Sequence, residues 1–91
     1  MSSRKQVKHD PKVGDLIEIK ASRKNPAYVS KLNGDRPFGS FYVPSTIIGI
    51  WLGFEIIDLG VDRVECETFL YEGQRHVIIN GTWRKIGSSN T

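Results

Sequence analysis

Apolar residues recur along this chain at the spacing of β-strands, between turns marked by Gly, Pro, Asn and Asp. Val13-Gly14-Asp15-Leu16-Ile17-Glu18-Ile19 opens the series, with Ile17 and Ile19 on one face and Glu18 on the other. Ser45 to Ile57 predicts a long central strand. Ile48, Ile50, Leu52, Phe54 and Ile56 share one parity in it, and Ile47, Trp51 and Ile57 share the other. Apolar side chains of both parities predict a strand buried on both sides, or one that changes sheet midway with Gly49 and Gly53 supplying the bend. Arg63 to Tyr71 and Gln74 to Ile79 predict a hairpin across Glu72-Gly73. Its first arm turns Val64, Cys66 and Thr68 one way and Glu65 and Glu67 the other. Trp83 to Ile86 closes the domain after Asn80-Gly81, and no amphipathic helix longer than one turn is found.

Lys20 to Pro44 is a long connection punctuated by Asn25-Pro26, Asn33-Gly34, Arg36-Pro37 and Phe38-Gly39. A structureless stretch of this length is unusual in a compact domain. It holds either a functional loop or a short hairpin, and the residues favour an irregular hairpin. Ala27 to Leu32 and Phe38 to Val43 would flank the Asn33-Gly34-Asp35 turn, with Tyr28-Val29 against Phe41-Tyr42 as its apolar face. The expected organisation is a flexible basic N-terminal tail over residues 1–11, a small β-barrel domain over 12–87 and a polar tail over 88–91.

The order of strand, long loop, long bent strand, hairpin and closing strand resembles the Src-homology-3-like small barrel of the KOW and Tudor group. Val13 to Ile17 is similar to the opening strand of such domains, Thr46 to Ile50 to their second strand, and Trp83-Arg84-Lys85-Ile86 to their last, entered through a short 3₁₀ turn. The resemblance implies an all-β fold, a five- to six-stranded partly open barrel with a long first loop. It departs from signalling Src-homology-3 domains, because their acidic loop and paired tryptophan-proline groove are absent, so polyproline binding is not expected. The style of the sequence is also similar to short proteins of tailed phages of marine cyanobacteria. That similarity implies a virion component or a host-takeover protein, located in the host cytoplasm or the virion.

Ninety-one residues, 38% of them hydrophobic and nine of them aromatic, suffice for one small core. A single cysteine, Cys66, excludes an intramolecular disulfide scaffold. No apolar run approaches the roughly 20 residues of a membrane-spanning helix, and no apolar segment follows Arg4, Lys5 and Lys8 to make a secretory signal. The expectation is a soluble, cytoplasmic protein with no membrane partner. The net charge of +3 is unevenly spread. Residues 1–36 carry nine Lys or Arg against four acids, and residues 37–91 carry four against six.

That imbalance directs attention to Lys20, Arg23, Lys24, Lys31 and Arg36, with Tyr28, Phe38, Phe41 and Tyr42 interleaved or adjacent. Cations neutralise phosphates and aromatic faces stack on unpaired bases, so this set would suit single-stranded nucleic acid. The competing assignment keeps the charges as a solvated loop and sends the aromatics to the core. Trp51 and Trp83 are either binding anchors or core fillers. His9, Cys66 and His76 lack metal-ligand spacing. Glu55, Asp58, Asp62, Glu65 and Glu67 show no arrangement for acid–base work, and no nucleophile has a recognisable base. Neither an enzyme nor a cofactor is expected. The sequence therefore favours a non-catalytic protein-interaction module, binding a protein partner or itself through Phe38, Phe41, Tyr42, Trp51 and Trp83. The alternative is a nucleic-acid-binding module using loop 20–42.

Overall fold

In the computed structural model, residues 11–88 are described. Residues 1–10 of the expected N-terminal tail and 89–91 of the expected C-terminal tail lie outside them. The described residues form seven strands and no helix: β1 (Asp15–Lys20), β2 (Tyr28–Asn33), β3 (Arg36–Tyr42), β4 (Ile47–Asp58), β5 (Arg63–Tyr71), β6 (Gln74–Asn80) and β7 (Thr82–Ser88). Ser88, expected to begin the tail, ends β7 instead. All pairings are antiparallel, in one sheet of order β3-β2-β6-β5-β4-β1-β7. The fold is all-β as expected, but the sheet is open and has seven strands rather than five or six. The extra pair comes from the long connection, which folds as the β2–β3 hairpin. Tyr28 sits opposite Tyr42 and Val29 opposite Phe41, the expected pairing. No 3₁₀ turn precedes β7, since the chain enters it directly from Asn80-Gly81.

The main core lies on one face of this sheet. Ile17 and Ile19 of β1 meet Val29, Ile47, Trp51, Phe69 and Ile78, with Ala27 and Val43 from the hairpin's flanks. β1 follows the two-residue period closely: Asp15, Ile17 and Ile19 are buried, and Leu16, Glu18 and Lys20 are not. A smaller cluster on the opposite face joins Leu32, Ile57 and Val77, with Cys66 against it. β4 serves both clusters. Its pairing with β5 shifts between Trp51 and Gly53, so Trp51 supports one cluster and Ile57 the other. Gly53 takes a φ of +95°, which a side chain would strain. Gly49 has a different role. A Cβ there would lie 2.7 Å from the Phe69 ring and 2.8 Å from the Leu70 carbonyl oxygen, so a bare backbone lets β5 pack closely.

Charged contacts fasten the hairpin tip to the ends of β4 and β5. Asp58 donates its N–H to the Asp35 carbonyl at 2.7 Å. Arg63 pairs with Asp35 at 3.1 Å, and Arg36 with Asp58 at 3.4 Å. Arg75 donates to the Gly34 carbonyl at 2.9 Å and pairs with Glu55. Glu55 in turn accepts from the Thr68 hydroxyl at 3.2 Å. Exposed pairs contribute little singly, so their main consequence here is to fix where the hairpin lies.

Candidate functional site

The expected contact residues divide between core and surface. Trp51 is buried and stacks at a tilt on Trp83, ring centroids 4.6 Å apart. It belongs to the core and offers no contact surface, which corrects its assignment as a partner-binding residue. Trp83 and Phe41 are half-buried and packed against the same core. Phe41 lies edge-on to His76 at 6.1 Å. His76 is itself buried, stacked on Phe69 at 5.3 Å, with Nδ1 2.9 Å from the Gln74 carbonyl. Phe38 and Tyr42 are exposed on the edge strand β3, and Tyr42 packs on Tyr28 at 4.6 Å.

The basic residues are close in sequence but spread along the fold. Lys20 ends β1, and Arg23 and Lys24 follow on the exposed loop that leads to β2. Lys31 lies within β2, its side chain running past Gly39. Arg36 sits beyond the hairpin turn and is paired with Asp58. A strand of six residues spans roughly 20 Å, so the hairpin separates Arg23 and Lys24 from Arg36. The structure does not gather the five into one patch. Lys20 lines a small hollow of about 290 Å³ with Ser22, Asn25, Thr46 and Thr82.

A different feature concentrates apolar surface. β5 and β6 pair from Tyr71↔Gln74 to Thr68↔Val77, and there the ladder stops although both strands continue. β6 leaves with β2, through a register shift between Ile78 and Asn80. β5 stays with β4 as far as Arg63↔Asp58. Among the described residues, Arg63 to Glu67 therefore pair on one side only. The two strands splay into a cleft of about 340 Å³ lined by Phe54, Leu59, Val64, Cys66, Ile78 and Ile79, with Glu65 and Glu67.

Cross-strand neighbours share a face, so Glu67 stands beside Phe54 and Glu65 beside Ile56. Val64 and Cys66 point to the other face, beside Ile57 and Glu55. Neither Glu65 nor Glu67 has an ion-pair partner among the described residues. Burial, and secondarily the charge of Glu67, pushes the Cys66 thiol up. At the far end of the sheet, Asp15 accepts from the Lys12 N–H at 2.8 Å and meets Lys85 at 3.3 Å; these contacts hold its carboxyl below the usual carboxylate range.

Sequence reasoning missed this cleft. Its signal was present in the apolar surplus of the central strand: Phe54 and Ile56, expected to be covered, are each about half exposed. Three groups of His, Cys, Asp or Glu close enough to hold a metal ion do not occur among the described residues. No helix among them is long and apolar enough to cross a membrane. Compared with known proteins, the chain matches no family model, no curated protein and no solved structure.

Proposed function

We propose that the chain is a non-catalytic protein-interaction module whose contact surface is the β5–β6 cleft together with Phe54 and Ile56. The observation that carries this reading is the exposure of neighbouring apolar side chains: Phe54 is 58% exposed, Ile56 51%, Ile79 43% and Leu59 42%. A contiguous apolar patch rimmed by charge is the usual form of a protein contact site. Phe38 and Tyr42 on the edge strand β3 extend the available contact surface. The uninterrupted order β7-β1-β4-β5-β6, with the β2–β3 hairpin inserted between β1 and β4, supports a partly open Src-homology-3-like barrel whose first loop has grown into a hairpin.

The test places the photo-crosslinker p-benzoylphenylalanine at position 54, in the cells that express this chain naturally, with position 72 on the β5–β6 turn as control. One identified protein, or a second copy of the chain, crosslinked from position 54 and not from 72 is the expected result. Absence of any protein adduct from position 54 would end this reading.

A nucleic-acid-binding reading has one observation in its favour. Lys20, Arg23, Lys24 and Lys31 are exposed and have no ion-pair partner among the described residues. It requires binding that weakens steeply with salt.

A further inference from the structure

We infer that the β5–β6 cleft takes an extended segment of a partner protein by strand addition to β5, and that this segment alternates basic and apolar residues. The inference rests on the interaction reading above and specifies its ligand. Its basis is the one-sided pairing of Arg63 to Glu67: no described strand pairs with the outward side of this five-residue edge, where the Arg63 N–H is held by Asp62 Oδ1 at 2.9 Å. Such an edge is a template for another strand, with the main chain giving affinity and alternate side chains giving selectivity.

The chemistry of the occupant follows from the period of two. A strand laid beside β5 places every second residue next to Glu65 and Glu67, on the face that also carries Phe54 and Ile56. The residues between them lie next to Val64 and Cys66 on the other face. Two carboxylates with no ion-pair partner among the described residues select Lys or Arg on the first set. The apolar lining from Val64, Cys66 and Ile79 selects aliphatic residues on the second. A second copy of the chain approaching with this same edge would bring glutamate against glutamate, so the charge favours a different, basic partner. A five-residue edge is about 17 Å long, which an octapeptide covers.

The probe is a labelled octapeptide of strictly alternating Lys and Val, titrated into the full chain by fluorescence anisotropy. Three controls accompany it: the same composition in block order (four Lys then four Val), an alternating peptide N-methylated at every second residue, and the Glu65→Lys/Glu67→Lys variant, checked for folding by circular dichroism. Saturable binding is expected, weakened about tenfold by the double charge reversal and at least as much by N-methylation or block order. Bound peptide should also slow alkylation of Cys66 in the wild-type chain, a readout that needs no variant. Equal binding of the N-methylated peptide would overturn strand addition, and equal binding of the block peptide would overturn the alternating pattern. No binding of the alternating peptide would overturn the inference altogether. Each of these leaves the interaction reading to be decided by crosslinking from position 54.

Discussion

Replacing Trp51 and Phe54 separately by Ala tests the boundary between core and contact surface. The two rings lie three residues apart on β4 and meet edge to face at 5.5 Å, yet Trp51 is 3% exposed and Phe54 58%. Removing Trp51 takes out a side chain that touches Trp83 and the main core, a change that costs about 3–5 kcal/mol. A 91-residue domain holds only about 5–14 kcal/mol of stability in total, so this variant should melt some 15–30 °C lower or fail to fold at ambient temperature. Phe54 shields less than half of its surface and contributes one aromatic contact. Its loss should cost about 1–2 kcal/mol and leave a folded domain. Urea titration followed by far-UV circular dichroism compares the two without relying on tryptophan emission, which the first variant alters. Equal destabilisation at the two positions would refute the reasoning. Phe54 would then be as well covered as Trp51, and the cleft would lose its principal exposed wall.

Gly49→Val should destabilise the fold by about 2 kcal/mol or more, because its side chain must displace the Phe69 ring and the Leu70 carbonyl; thermal melts check this. The carboxyls of Asp15 and Asp58 are held below their ordinary value, chiefly by backbone N–H groups of Lys12 and Gly60. Each therefore contributes stability that is complete above about pH 4 and lost as pH falls through its lowered folded value. Asp15→Asn and Asp58→Asn should be less stable at neutral pH and show a shallower acid decline in melts taken from pH 7 to pH 2. Because the Cys66 thiol is pushed up, its alkylation rate should rise at a higher pH than that of a free cysteine peptide, and Glu67→Gln should bring that rise partway back. Arg23→Glu/Lys24→Glu/Lys31→Glu should leave crosslinking from position 54 unchanged; abolition of single-stranded DNA or RNA binding at low salt would support the nucleic-acid reading instead.

The elements were legible in the sequence because their signals are local. Alternation of Asp15, Ile17 and Ile19 with polar neighbours located β1, and Asn33-Gly34 located the hairpin turn and, with it, the register of Tyr28 on Tyr42. Less was legible where exposure depends on which strand continues to pair with which. Parity indicated that Ile48, Phe54 and Ile56 shared a face, but the register shift between Trp51 and Gly53 turns Phe54 and Ile56 to the face of Trp51, away from Ile48, and the covering strand ends before reaching them. That depends on β6 following β2 at Ile78 while β5 follows β4, a competition between two distant pairings that no single segment encodes. The placement of the basic residues was hidden for the complementary reason. Lys20 to Arg36 is compact when counted along the chain, but an intervening hairpin turns sequence proximity into separation, and Asp58, twenty-two residues beyond Arg36, neutralises its far end. Glu65 and Glu67 looked like ordinary solvating charges by their alternation. Their neighbours give them a different significance: they stand beside Phe54 and Ile56, on a strand edge that no other described strand covers. Charge on such an edge discourages pairing with another copy. Under the proposed strand addition, the same two charges that oppose self-pairing leave the edge open to a segment of opposite charge, so protection from aggregation and selectivity for a basic segment would follow from one arrangement.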